Sequence, residues 1–257
     1  MTTAMSIEKF YDNMAIPDAC ALGKRIFKKQ FYENGQLNAA DRKAFVEDIE
    51  GIEWRYTLKP TTVNIPRFED ETHEYLEVAV LQVLLAARER SARIAAVMQK
   101  AIPYPVLIIF TQEDGMALNA AEKRISRADS NKIVVEASHD TGWLAMSALK
   151  PWQADFLNDF RVTNFSYRNF FEFYQDIIKR IVALNCAAHT GGYSLSAANG
   201  DSGADRLQSL KQIEKLQQEQ LETRNKLKKE KNLGTQVLLN TRIKQITDRI
   251  EAIKKAI

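Results

Sequence analysis

The spacing of apolar residues near the start of the chain predicts helices. Asp18 is a candidate N-terminal cap, because its side chain can accept a hydrogen bond from a backbone N–H of the first turn. The apolar face of this predicted helix would hold Leu22, Ile26 and Phe27. Asn38 is followed three residues later by an acidic side chain, which predicts the cap of a second helix. Each segment is expected to pack one apolar face against a core.

The pattern then changes to that of β-strands. Apolar and polar residues alternate over residues 52–58, which is typical of a strand with one buried face. Residues 61–66 are rich in β-branched side chains and predict a short second strand. Residues 75–85 are mostly apolar, as expected of a strand that is buried on both faces.

A helix and further strands follow. The alanine-rich segment 86–101 predicts a helix, which the two prolines after it end. The apolar run 106–111, the turn at 113–115 and the return segment 116–125 predict a β-hairpin. Residues 133–137 predict another strand. The expected fold class is therefore α+β, with a mixed or mostly antiparallel sheet and helices packed against it.

Aromatic residues concentrate before and within a predicted helix over residues 167–188. Its apolar stripe consists of Phe170, Phe171, Tyr174, Ile177, Ile178, Ile181 and Leu184. A base-stacking surface for nucleic acid would need exposed aromatic side chains interleaved with Lys and Arg. Because few basic residues lie near this stripe, we interpret it as part of the core.

The last fifty residues have the pattern of two helices joined by a short break at 232–235. Ser202 and Thr235 are the predicted caps, and Gly234 is suited to a left-handed turn. In the second helix apolar residues recur at alternating intervals of four and three. This isoleucine seam consists of Leu239, Ile243, Ile246, Ile250, Ile253 and Ile257. The pattern predicts an antiparallel helical hairpin (a coiled coil), whose seam is expected to meet a second copy, the body or a protein partner.

Five basic residues lie at the turn between the two predicted helices, just before the break. This basic tip consists of Arg224, Lys226, Lys228, Lys229 and Lys231. One interpretation is a contact with nucleic-acid phosphates or with an acidic partner. The other is a solvated hairpin end, since Lys is also favoured at the C-terminal end of a helix.

Charge and composition divide the chain of 257 residues. Residues 205–257 carry 13 Lys and Arg against 7 Asp and Glu, and they contain no aromatic residue and no proline. Residues 1–204 carry 23 basic and 26 acidic residues. The segment between them is glycine-rich, small and polar, which is typical of a linker. We predict an α/β-type globular body over 1–189, a flexible linker over 190–204 and a basic helical hairpin over 205–257.

Composition excludes several classes of protein. Two cysteines are too few for a disulfide scaffold. The sequence has no run of about 18 apolar residues, which a transmembrane helix needs. Its start also lacks the basic and then apolar pattern of a signal peptide. We therefore expect a cytoplasmic protein without a membrane contact.

A metal-dependent nuclease is the enzyme class that deserves the closest test. The restriction-type core needs an acidic residue on one strand and an acidic-x-Lys sequence on its neighbour, so that carboxylates hold Mg²⁺. The candidate carboxylates are Glu53, Glu74 and Glu77. Ala79 stands where a lysine would follow Glu77. The sequence therefore predicts no catalytic residue.

Other reactive side chains also have structural interpretations. His73 follows consecutive acidic residues that are expected to be solvated, and His139 has no paired nucleophile in sequence. Cys20 and Cys186 have apolar neighbours and are expected to be buried, unreactive thiols. The glycine-rich nucleotide-binding motifs are absent from the sequence. We predict no metal and no cofactor.

Several segments together resemble a known family. They are LGKRI at 22–26, KKQFYE at 28–33, DIEGIEW at 48–54, LKPTTVNI at 58–65, AIPYP at 101–105 and KKE at 228–230, with Val237, Leu239 and Asn240. The chain resembles an uncharacterised prokaryotic family known as a domain of unknown function. The resemblance covers most of the length of the chain. It implies a genomic context for the protein but no catalysed reaction. Such proteins are similar to accessory members of restriction or phage-defence gene clusters, which encode a helicase or ATPase and a DNA methyltransferase.

We accordingly expect a non-catalytic adaptor that docks on a helicase, ATPase or DNA methyltransferase through the isoleucine seam, with the basic tip touching DNA or the partner. Three alternatives remain open at this point. They are a diverged metal-dependent nuclease, a direct DNA-binding module and a homodimer built on the hairpin.

Overall fold

The computed structural model describes residues 4–33, 37–126, 129, 133–196 and 203–257. The chain divides into two compact units, Met1–Ile181 and Val182–Ile257. The boundary falls within one long helix, ahead of the linker that the sequence predicts at 190–204. None of the helices in the described ranges has the length and hydropathy that crossing a lipid bilayer requires.

Helices and strands alternate in the first unit. The helices are α1 (Ile7–Met14), α2 (Lys29–Glu33), α3 (Ala39–Glu47), α4 (Pro60–Val63), α5 (Ser91–Ala101), α6 (Pro151–Asp159) and α7 (Phe170–Thr190), the last of which continues into the second unit. The strands are β1 (Ala21–Ile26), β2 (Ile49–Leu58), β3 (Phe68–Glu69), β4 (Glu74–Tyr75), β5 (Val78–Leu85), β6 (Val106–Gln112), β7 (Gly115–Ile125), β8 (Ile133–Asp140) and β9 (Leu144–Ala145).

The main sheet has the strand order β1-β2-β5-β6-β7-β8, and β9 also pairs with β7. The pair β5–β6 is parallel, because α5 carries the chain back across the sheet between them. The other pairs in this sheet are antiparallel, and β3 and β4 form a separate two-stranded sheet. The predicted α+β class with a mixed, mostly antiparallel sheet is confirmed.

Each face of the sheet is covered differently. On one face, α3 and α5 bury a cluster that includes Phe45, Ile94 and Met98 against the strands. Elsewhere α7 reaches the sheet through Tyr174, which is fully buried. The Tyr174 hydroxyl donates to the carbonyl oxygen of Val106 at 2.8 Å and accepts from the amide of Ala121 at 3.0 Å. One side chain thus satisfies backbone groups on two strands.

Removal of the Tyr174 hydroxyl should lower the stability of the protein. A Tyr174→Phe variant leaves a buried amide without an acceptor and a carbonyl without a donor, so we expect unfolding free energy to fall by about 1–3 kcal/mol. Urea denaturation followed by circular dichroism measures the change. Tyr167→Phe is the matched control, because Tyr167 is exposed and its variant should stay within about 0.5 kcal/mol of wild type. Equal stability of the two variants would contradict the role of the hydroxyl.

The structure corrects the prediction of a helix after Asp18. Asp18 begins a short 3₁₀ turn that ends at Cys20, and residues 21–26 are strand β1. Gly23 has a φ of +58°, which a continuous α-helix does not allow. The antiparallel pairing of β1 with β2 therefore replaces the local helix signal.

Three smaller predictions are also wrong. The first half of the predicted strand at 61–66 belongs to helix α4, because Pro60 occupies the first helical position, where its fixed φ is favourable. Gly234 lies inside the first turn of a helix rather than in a left-handed turn, and the cap of that helix is Asn232 in place of Thr235. The Asn232 side chain accepts a hydrogen bond from the amide of Thr235 at 3.1 Å.

The second unit contains the end of α7 together with α8 (Gly203–Lys229) and α9 (Leu233–Ala256). The two long helices pack side by side as the predicted hairpin. Gln220 donates from Nε2 to Thr247 Oγ1 at 2.7 Å, and Arg242 donates from Nε to Glu219 at 3.0 Å. The predicted cap at Ser202 lies outside the described residues.

Candidate interaction site at the hairpin tip

The isoleucine seam is already packed within this chain. Ile246, Ile250 and Ile257 are buried, and the other three members are partly buried. On α8, the apolar residues Leu210 and Ile213 are buried as well. The hairpin therefore closes in cis, and half of the seam that we predicted as a docking element is inaccessible to a partner.

A different set of apolar side chains is exposed at the end of the hairpin. Leu233 is 75% exposed, Leu238 is 71% exposed and Val237 is 57% exposed. These three residues, the apolar tip, occupy the first turns of α9. Large apolar side chains that are exposed together in a small region are typical of an interaction site.

The basic tip lies immediately before these apolar residues in the sequence. Its five side chains, Arg224, Lys226, Lys228, Lys229 and Lys231, are all exposed. Within the described ranges none of them forms an ion pair. The hairpin end therefore combines uncovered apolar surface with five cations that are free to meet an acidic surface.

The turn that carries both sets is fixed by its own hydrogen bonds. Glu230 Oε1 accepts from the backbone amides of Lys231 and Asn232, each at 2.8 Å. The Gln236 side chain donates to the carbonyl oxygen of Glu230 at 2.8 Å. Because the Glu230 carboxylate is engaged by backbone N–H groups, it leaves the neighbouring lysines unpaired. These bonds also fix the turn that precedes the apolar tip.

Sequence reasoning found the basic tip but missed the apolar tip. The sequence did contain a signal for the apolar tip. If the heptad spacing of the seam is continued from Leu239 towards the start of α9, it does not include Leu233, Val237 or Leu238. Apolar residues outside the seam of a two-helix hairpin have no partner helix to cover them. That criterion would have identified the cluster.

The start of the predicted linker is anchored within the second unit. Arg206 on α8 is buried, and its guanidinium donates to the carbonyl oxygens of Ser194 and Leu195 at 2.8 and 3.2 Å. It also donates to Ser196 at 3.1 Å and to Ile257 at 3.4 Å. Residues 197–202, the later part of the predicted linker, lie outside the described residues.

The three candidate nuclease carboxylates do not form one site. Glu53 lies on β2 opposite Gln82 of β5. Glu77 precedes β5 and lies five residues from Gln82, which is about 17 Å along an extended strand. Glu74 and Glu77 instead line a separate cleft of about 680 Å³ with Lys59. The residue that faces Glu53 on the neighbouring strand is Gln82, whose side chain is an amide, whereas the nuclease core needs a carboxylate there.

The remaining titratable candidates have structural partners. Asp70 accepts from the amides of Thr72 and His73, and these hydrogen bonds lower the pKa of Asp70 to about 2. Cys20 and Cys186 are buried, as predicted, and burial raises the pKa of the Cys186 thiol. In the part of the chain that the structure describes, His, Cys, Asp and Glu form no group of three that could hold a metal ion.

One buried lysine has an unusual environment. Lys123 on β7 is buried. Its Nζ donates to the carbonyl oxygens of Ile102 and Tyr104 at 2.8 and 2.9 Å. Burial lowers the pKa of Lys123 to about 7. These two hydrogen bonds connect the segment 102–105, which lies between α5 and β6, to strand β7.

Comparison with protein families identifies a family model that matches most of the chain. The model of the family described as Domain of unknown function (DUF4391) matches residues 14–250. No curated protein and no solved structure matches the chain.

Proposed function

The chain belongs to the DUF4391 family, and on that premise we propose that it is a non-catalytic accessory protein that docks on a larger DNA-processing enzyme through the end of its helical hairpin. The DNA-processing context, a restriction or phage-defence assembly with a helicase, ATPase or DNA methyltransferase, follows from the family resemblance. The docking element follows from the exposed surface of the hairpin.

The observation that carries this proposal is the combination of the apolar tip with the basic tip. Leu233, Val237 and Leu238 offer apolar anchors, whereas the five cations offer charge complementarity to an acidic partner surface. The seam contributes indirectly, because its burial in cis holds the two helices of the hairpin together. The docking surface proposed here is thus the end of the hairpin rather than its seam.

A double substitution at the apolar tip tests the proposal. Leu233→Glu/Leu238→Glu places two carboxylates where the partner surface is expected to be acidic, so we expect affinity for the partner to fall by more than about 100-fold. A nuclease-treated pull-down from the native host, followed by mass spectrometry, measures the loss. Retention of a helicase, ATPase or methyltransferase by wild type but not by the variant is the expected result.

Leu221→Glu is the matched control. Leu221 is also an exposed leucine of the hairpin, but it lies on α8 about 14 Å before the turn at 1.5 Å per residue. It should retain the partner. Point variants are preferable to removal of residues 205–257, which would take away most of the second compact unit. Recovery of the bait alone with wild type would contradict docking, and a self-associating bait would favour the homodimer.

Direct DNA binding by the basic tip is a second candidate, favoured because its lysines form no ion pair with any residue that the structure describes. It predicts affinity for duplex DNA that falls steeply with salt and with the Lys228→Glu/Lys229→Glu variant. The nuclease alternative is less favoured, since Glu53 lies far from Glu77.

A further inference from the structure

The edge of the sheet carries an exposed aromatic ring among basic residues. Residues 19–32 contain four Lys and Arg and no acidic residue, although residues 1–204 as a whole carry an acidic excess. Within this segment Phe27 is 66% exposed. Lys24, Arg25 and Lys29 around it are exposed as well. This arrangement, the β1 patch, meets the requirement for a base-stacking surface: an exposed ring interleaved with cations.

The ring is held outward by its neighbours. Ile26 packs against the core cluster, and Phe31 is buried against Phe45 with ring centroids 5.6 Å apart. Between them, Lys28 donates from Nζ to the carbonyl oxygens of Val46 and Ile49 at 2.8 and 2.9 Å. Because the chain is fastened on both sides of Phe27, the exposed ring is a built feature of the fold rather than a loose side chain.

Lys24 and Arg25 beside the ring are available for a ligand. Neither Lys24 nor Arg25 forms an ion pair with another described residue. Arg25 is the cross-strand neighbour of Glu53, so their side chains share one face of the sheet, and by strand alternation Phe27 lies on that face as well. The phosphates of a strand that crosses this edge can therefore reach a guanidinium beside a base stacked on Phe27.

A small pocket continues the patch across the sheet. It has a volume of about 380 Å³ and is lined by Gly23, Arg25, Gly51, Glu53 and Gln82, among others. A Cβ added at either glycine would meet nothing within 4 Å, so the floor is open. This space is large enough for a planar base, and the Glu53 carboxylate that lines it can accept a hydrogen bond from a base amino group.

We propose that the β1 patch binds single-stranded nucleic acid, with a base stacked on Phe27 and a backbone phosphate on Arg25, while Lys24 adds positive charge at the same edge strand from its other face. Stacking on a protruding ring requires an unpaired base, which favours single strands over a duplex. This surface lies in the first unit and is independent of the docking proposed for the hairpin tip.

Fluorescence anisotropy of the full chain with labelled oligo-dT and oligo-U of about 20 nucleotides tests the proposal. Binding to either oligonucleotide supports it, and the tighter one identifies the natural source. We expect Phe27→Ala to weaken binding about tenfold and Phe27→Trp to preserve it, because stacking needs only an aromatic face. Lys24→Glu/Arg25→Glu should weaken binding more than about tenfold and reduce its dependence on salt.

The matched control is Lys211→Glu/Lys215→Glu, which reverses two exposed charges of α8 in the second unit, outside the basic tip, and should stay within about twofold of wild type. A duplex competitor should compete about tenfold less well than the single strand. Absence of binding by wild type, equal competition by duplex, or loss of binding only in the hairpin variant would overturn the proposal. Photocrosslinking of wild type to an iododeoxyuridine oligonucleotide gives a readout without variants. A crosslinked peptide that contains Phe27 supports the site, and one from the hairpin alone overturns it.

Discussion

Wild-type protein is expected to become more stable as pH rises from 7 to 9.5, and a Lys123→Met variant is expected to lose this gain. The cause is the burial of Lys123, which lowers the pKa of its ammonium group from 10.5 to about 7 in the folded state. The unfolded chain keeps the ordinary pKa. In this window the unfolded state therefore binds a proton that the folded state does not hold, and stability increases with pH.

The size of this effect follows from the two pKa values. One pKa unit corresponds to about 1.4 kcal/mol, so the gain between pH 7 and 9.5 has an upper limit of about 3 kcal/mol. Below pH 7 the dependence should flatten, since both states are then protonated. Methionine fills much of the same volume without a titratable group, which makes Lys123→Met the suitable variant.

Urea denaturation at a series of pH values measures the difference between wild type and variant. Lys100→Met is the control, because Lys100 is an exposed lysine on α5 whose loss should leave the pH profile of wild type intact. Measurements should stop near pH 9.5, below the range in which Tyr75, with a pKa raised to about 12 by burial, ionises. Parallel pH profiles for wild type and Lys123→Met would show that the lysine is not buried as described.

An Arg206→Met variant should destabilise the second unit by about 3 kcal/mol. The substitution removes a buried guanidinium that serves four carbonyl oxygens, and hydrogen bonds from a charged donor contribute about 1.5–3 kcal/mol each. The cost of burying the cation offsets part of this total. Arg206→Lys should recover little of it, because an ammonium group lacks the planar fork that reaches several carbonyls.

Hydrogen exchange provides the local measurement for this prediction. The segment 194–196 is held by the Arg206 guanidinium, so its amides should exchange faster in the variant, together with those of α8 and α9. Arg224→Met is the control, because Arg224 is exposed and makes no ion pair among the described residues. Unchanged exchange at 194–196 would mean that Arg206 does not anchor this segment.

Local sequence signals were sufficient where both partners of an interaction are close in the chain. The hairpin β6–β7 was predicted correctly, since an apolar run, a turn and a returning strand are consecutive. The antiparallel pair α8–α9 was predicted for the same reason. Strand β1 was mispredicted as a helix because its partner β2 lies beyond α2 and α3, and a left-handed glycine interrupts its alternation.

The same error hid a candidate site. As part of a predicted helix, Phe27 was assigned to an apolar face and hence to the core. Once residues 21–26 form a strand, side chains alternate and the ring falls outside. The apolar tip of the hairpin was missed differently: periodicity identifies a helix as amphipathic but does not say which apolar residues lack a covering partner.

The irregular shape of β1 has a further consequence for behaviour at high concentration. β1 is the first strand in the sheet order, and its register with β2 shifts between Ala21 and Lys24, where Gly23 takes its left-handed conformation. A flat, apolar border strand would act as a template for fibril growth by adding strands from other molecules. The bulge bends this border, and two adjacent positive charges repel an identical strand. The fold therefore carries its own protection against polymerisation at this border.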